Sequence, residues 1–188
     1  MKPGKVPAFV PVMTPAKIPD DSGAAPSIPQ WTDWLEPESV TQIEADAKGG
    51  WTDPSYAGSL DEDWATAEAE SDVTDRLRMA YGFDIPAGST ILGLEARIYY
   101  RGGSVSPCSL KAQLRHGGAD IGELKAEAII EESFGEWRSF GAIDDLWDAE
   151  LTAAIINALD GLDVHLAETE GVPAVVDIDS IQMRVRYQ

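Results

Sequence analysis

Residues 91–100, ILGLEARIYY, alternate in character along their length. Leu92, Leu94, Ala96, Ile98 and Tyr100 share one parity, while Glu95 and Arg97 take the other. A period of two puts alternate side chains on opposite faces of a strand, so this segment is a strand with one dry side. Gly93 inside it marks a bulge or a close backbone approach. SLKAQLRHGG (109–118) repeats the pattern, with Leu110, Ala112 and Leu114 inward and Lys111, Gln113 and Arg115 outward. GGAD (117–120) then reads as a hairpin turn. At 180–187, Ile181, Met183, Val185 and Tyr187 alternate with Gln182, Arg184 and Arg186. Residues 64–70, 74–83, 136–143 and 162–168 supply further short strands. Many short strands separated by Gly, Pro and Asp turns predict an all-β chain. The expected architecture is an antiparallel β-sandwich, jelly-roll-like.

Two segments break the alternation. DAELTAAIINAL (148–159) spaces Leu151, Ile155, Ile156 and Leu159 for a helix, and Asp160-Gly161 ends it. A single helix in such a chain predicts a crossover between sheets. The N-terminus is different again. Prolines stand at 3, 7, 11, 15, 19, 26, 29 and 37. Proline removes a helix donor and pushes the preceding residue towards extended geometry, which predicts an extended arm over residues 1–47 and a sandwich over 48–188. The arm carries Val6, Phe9, Val10, Met13, Ile18, Trp31 and Trp34, more apolar surface than a flexible spacer displays. Residues 1–19 hold Lys2, Lys5 and Lys17 and no acid, leaving -22 of the chain's net charge of -19 on the remainder. A basic, apolar arm on an acidic body is suited to lie on another surface, and those seven residues are the expected partner contacts. Folding back along its own domain is the alternative.

Charge and composition exclude several function classes. With 33 acidic residues against 14 basic ones, the surface repels nucleic acid and acidic lipid. Cys108 is the only cysteine, so no internal disulfide or Cys-rich metal motif is available. No run is apolar enough for a signal peptide or a membrane span.

Catalytic signals are sparse. The two histidines, His116 beside the Gly-Gly turn and His165 on the outward parity of its strand, pair with no nucleophile motif. Phosphate loops are absent. Asp61, Glu62 and Asp63 form a dense acidic cluster but lack an EF-hand spacing, so a solvated turn is expected rather than calcium. Asp179 has the inward parity of its strand and needs backbone donors or a cation; a hydrogen-bonded turn is favoured. No cofactor, metal or enzymatic activity is expected. The six tryptophans, Trp31, Trp34, Trp51, Trp64, Trp137 and Trp147, are candidates for a sugar platform by type, or for packing and interfaces.

Four segments in order, WTDPSYAGSLDEDWATAE (51–68), GFDIPAGSTILGLEARI (82–98), FGAIDDLWDAELTAAIINA (140–158) and VDIDSIQMRVRY (176–187), give residues 51–187 a likeness to a known family. They resemble a β-sandwich domain recurring in virion proteins of tailed bacteriophages. LWD stands here where that pattern has a Gly-bearing LWG. The resemblance implies a non-enzymatic virion structural protein assembled in the host cytoplasm, a capsid decoration or head-fibre protein tethered by its arm. A tail or baseplate component is the near alternative, and a carbohydrate-binding module for host adhesion is the alternative of another class. The implied partners are the major capsid protein or tail components, a homotrimer of the chain itself, and a host glycan.

Overall fold

The computed structural model describes residues 28–43, 49–69, 73–102, 108–129, 133–168 and 174–188. The strands are β1 (Gln30–Trp31), β2 (Ser39–Ile43), β3 (Trp51–Thr52), β4 (Ala65–Ala69), β5 (Arg76–Ala80), β6 (Ile91–Gly102), β7 (Cys108–His116), β8 (Ala119–Ile129), β9 (Ser133–Ala142), β10 (Gly161–Glu168) and β11 (Ala174–Tyr187). Among the described residues one α-helix, α1 (Ala153–Ile156), precedes β10, and a single 3-10 turn covers Pro54–Ala57. The first sheet runs β3-β4-β11-β6-β9, with β1 also paired to β11. The second runs β2-β5-β10-β7-β8. Every pairing is antiparallel. From β4 onward the order β4-β11-β6-β9 against β5-β10-β7-β8 is that of an eight-stranded jelly roll, the expected fold. Among the described residues no helix is long and apolar enough to cross a membrane.

The core lies between the sheets and obeys the parity of the sequence. Leu94, Ala96, Ile98, Ile181, Met183 and Val185 from the first sheet meet Leu77, Leu110, Leu114, Leu162, Val164 and Leu166 from the second, all fully buried or nearly so. Leu92 departs from the expected parity. It is half-buried, and Ile91 takes the core position instead. The register jumps from Arg186 opposite Gly93 to Tyr187 opposite Ile91, so one extra residue of β6 is accommodated by a bulge. Gly93 also meets the close approach that its type suggested. A Cβ there would stand 2.3 Å from the Ile143 carbonyl oxygen. Gly117 and Gly118, at φ 60° and 79°, form the two-residue turn between β7 and β8, which the Gly-Gly pair suits because both positions need left-handed backbone.

The helix is shorter than the 148–159 predicted. Trp147 and Asp148 sit at φ 56° and 53°, left-handed geometry that no helix continues through. Thr152 is extended and caps α1, its Oγ1 accepting the Ile155 N–H at 3.2 Å. Leu151, Ile156 and Leu159 still reach the core, and the segment does cross from the first sheet to the second.

The arm boundary also differs from that expected at 47. β1 pairs with the end of β11, and Leu35 and Met183 exchange backbone hydrogen bonds of 2.8 and 3.1 Å. β2 pairs along β5. Residues 30–43 therefore belong to both sheets. β11 offers β4 and the 30–35 segment the same flank at different heights, because β4 stops at Ile178.

Candidate aromatic–guanidinium face

The outer face of the first sheet gathers aromatic rings and arginines from five segments distant in sequence. Arg184, outward on β11, stacks its guanidinium on Trp31 at 4.2 Å and on Trp34 at 4.4 Å from the ring centroids. Arg97, outward on β6, stacks on Trp34 at 4.1 Å and on Trp137 of β9 at 4.2 Å. Trp137 meets Tyr99 at 5.2 Å between centroids, and Tyr99 meets Trp64 at 5.9 Å. Arg101 closes the series over Trp64 at 4.1 Å. The result is a continuous ladder, Trp31–Arg184–Trp34–Arg97–Trp137–Tyr99–Trp64–Arg101. Each of its six interior members touches two others.

Strand geometry explains the ladder. Arg97 faces Gln182 across the β6–β11 pair and Ser139 across the β6–β9 pair, so it stands mid-sheet on the outer side. Outward residues on neighbouring strands stand about 5 Å apart, which lets planar guanidinium groups slot between indoles. Cation–π attraction favours this order.

Carboxylates and an amide hold the arginines. Arg97 donates from Nε and Nη2 to Gln182 Oε1 at 2.9 and 2.6 Å. Arg184 Nε donates to Glu95 at 2.7 Å, and Arg101 Nε to Asp177 at 2.7 Å. Burial, then the neighbouring Arg184, lowers the Arg97 pKa from its ordinary value, although an arginine so placed remains charged. Trp31, Trp34, Trp64, Trp137 and Tyr99 are all half-buried, so the ladder is part of the surface.

The outer face of the second sheet is built differently. Asp163 of β10 is fully buried and takes both Nε and Nη2 of Arg78, at 2.7 and 2.8 Å. The Asp163 hydrogen bond raises the Arg78 pKa further. Arg76 and Arg115 stand farther off Asp163, at 3.7 and 3.8 Å. His165, expected as an outward strand residue, is outward but only 7% exposed. Burial, reinforced by Arg76 and Lys111, lowers its pKa to about 4. His116 lies beside the turn as expected, with Nδ1 2.9 Å from the Ala158 carbonyl.

The remaining candidates are structural. Asp179 accepts the Asp61 and Glu62 backbone N–H groups at 3.2 and 3.3 Å, the hydrogen-bonded turn that its parity suggested. Burial raises its pKa, and those two donors partly offset the rise. Trp51 is buried and donates Nε1 to the Asp75 carbonyl at 2.7 Å. Trp147 is wholly buried and donates to the Leu94 carbonyl at 3.0 Å. Cys108 is buried, which pushes its thiol up to about 11. Of the seven expected arm contacts, Trp31 and Trp34 lie in the ladder, while Val6, Phe9, Val10, Met13 and Ile18 lie outside the described residues. Residue type singled out four ladder tryptophans in the sequence. It did not signal Arg97, Arg101, Arg184 and Tyr99; alternation placed only Arg97 and Arg184, as outward residues.

No family model matches the chain, and no curated protein does. Among solved structures, the chain is similar to TmCBM61, determined in complex with β-1,4-galactotriose. The identity is 13% and the TM-score 0.35, over 81% of this chain and 86% of that one. It is also similar to the K1 cleaved adhesin domain of Lys-gingipain from Porphyromonas gingivalis W83. There the identity is 14% and the TM-score 0.41, over 84% of this chain and 98% of that one. Likeness at these scores carries no inference about ligand.

Proposed function

We propose that the protein is a non-enzymatic recognition module that holds a glycan on the aromatic–guanidinium face of its first sheet. The observation that supports this is the ladder itself: five half-buried rings, flanked by Glu95, Gln182 and Asp177, crossing one open sheet face. Rings offer flat apolar area to the C–H face of a sugar, while carboxylate, amide and guanidinium groups match its hydroxyls. Trp34 stacks with two arginines, so its role is to position the others. Trp31 at one end and Trp64, the last ring before Arg101 at the other, each stack with one arginine and are the rings offered to a ligand. The test is glycan-array binding followed by titration calorimetry. Trp31→Ala and Trp64→Ala should lose at least tenfold in affinity, about 1.4 kcal/mol, without loss of the cooperative melt. Binding that survives both substitutions sinks the reading.

A second reading, a virion structural role, rests on the basic apolar segment 1–19 and on the resemblance of residues 51–187 to tailed-phage sandwich domains. Here the module sits on a phage particle, as a head decoration or tail component, and the segment before β1 is its tether. Deleting residues 1–27 should leave a folded sandwich that no longer joins its particle. Normal incorporation of the truncated chain ends this reading. Deletion through residue 40 is not the test, because it removes β1 and Trp34.

A further inference from the structure

We propose that a row on the outer face of the second sheet, Arg76 of β5, His165 of β10 and Lys111 of β7, binds the anionic group of an acidic saccharide. The row is set by strand register. His165 stands directly opposite Lys111. On its other flank the pairing of Val164 with Leu77 brings Arg76 alongside. Two interstrand spacings, about 10 Å, separate the Arg76 and Lys111 backbones, a gap that their long side chains can close over one carboxylate or sulfate.

The charges on this face do not cancel. Asp163 is engaged by both arms of Arg78. Arg115 is engaged by Asp120 and by the Gly118 carbonyl. Arg76 comes no nearer than 3.6 Å to Asp120 and 3.7 Å to Asp163, and its side chain is 34% exposed. Lys111 makes no ion pair among the described residues. Four cations, Arg76, Arg78, Arg115 and Lys111, thus face three carboxylates, Asp120, Asp160 and Asp163, on a chain whose net charge is -19. Positive charge concentrated against such a background marks an anion site rather than a solvated surface.

The imidazole supplies an independent observation. His165 Nδ1 is buried and has no hydrogen-bond partner among the described residues. A buried polar atom left unpaired costs stability and calls for an occupant. The groups facing it are Arg76, Lys111, Asp163 and Asp120, and the two cations outweigh the two acids in keeping it neutral. An anion seated between Arg76 and Lys111 reverses that balance, so the imidazole takes up a proton and donates to the ligand. Binding is then linked to protonation and tightens as pH falls from about 6.5 towards 4, by at most roughly tenfold per pH unit.

The saccharide nature of the ligand rests on the glycan-binding reading; the anion site does not. The test follows the two histidine imidazoles by NMR at constant ionic strength, with sodium sulfate, a trigalacturonide and neutral galactotriose as probes. The trigalacturonide should raise the His165 titration midpoint by at least one pH unit and leave His116 unmoved. Lys111→Gln and Arg76→Gln should each abolish that response while keeping the melting transition. A His165 unmoved by sulfate and trigalacturonide alike, or moved equally by galactotriose, overturns the proposal. A response to sulfate alone overturns the saccharide assignment. Glycan-array binding that survives Trp31→Ala and Trp64→Ala tells against the aromatic face instead, and leaves the His165 result to be read on its own.

Discussion

Replacing Arg97 by alanine separates a ladder from a set of surface side chains. By strand parity alone Arg97 is an outward residue whose loss stays within about 0.5 kcal/mol. The structure gives it two stacking contacts, at 4.1 and 4.2 Å, and two N–H donors on one amide oxygen. Each stack on a partly exposed ring is worth about 0.5–1 kcal/mol. The bonds to Gln182 together add about 0.5–1.5 kcal/mol. Two effects act the other way. Burial and the nearby Arg184 both disfavour the Arg97 charge, and removing the side chain relieves them. The net loss should be about 1–2 kcal/mol. For a chain of this size that lowers Tm by roughly 2–8 °C. Urea unfolding of Arg97→Ala, Trp34→Ala and the double variant gives the decisive number, with a coupling energy of about 0.5–1 kcal/mol expected. Arg97→Lys should fall between wild type and alanine, because an ammonium keeps the charge and loses the flat stacking surface. A coupling energy of zero, or an Arg97→Ala variant as stable as wild type, refutes the ladder as a cooperative unit.

Three further outcomes follow from particular positions. Leu94→Ala and Ile98→Ala, each emptying a fully buried site, should cost about 2–5 kcal/mol in chemical denaturation; wild-type midpoints would mean that the β6 register is wrong. Asp148→Gly should stabilise by about 0.5–1 kcal/mol, since glycine accepts φ 53° without the steric cost borne by an L-residue; a lower melting temperature would count against the turn geometry. His165 is neutral when folded and protonates more readily when unfolded, its pKa being lowered to about 4. The unfolded chain therefore binds the extra proton between pH 6.5 and 4. The stability it contributes is complete above about pH 6.5 and falls by roughly 2–3 kcal/mol on the way to pH 4. His165→Gln should flatten that part of the stability–pH profile, and an unchanged slope would show that other groups set it.

Alternation along single segments determined much of this protein. It named the inward residues of β6 from Leu94 to Tyr100, of β7, and of β11 from Ile181 to Val185, the Gly-Gly turn, and Gly93 as a point of bulge or close approach, because pleating is a property of one strand and needs no partner. β8 was not recognised as a strand, because Glu123, Lys125 and Glu127 occupy the inward parity of ADIGELKAEAI. It is an edge strand, where such charges discourage pairing with another chain. Lys125 is satisfied there by Glu123 and Asp145, at 2.9 and 2.8 Å. The helix at 148–159 was overestimated because apolar spacing cannot report a left-handed backbone at Trp147 and Asp148. Only tertiary pairing decided the strand order, the entry of residues 30–43 into both sheets, and the two outer faces. Trp31, Trp64, Arg97, Trp137 and Arg184 become neighbours when β11 lies between the 30–35 segment and β6, and β9 lies beyond β6. Arg76, Lys111 and His165 align only because β10 separates β5 from β7. Those adjacencies come from contacts between segments far apart in the chain, and periodicity within one segment carries no record of which strand lies beside it.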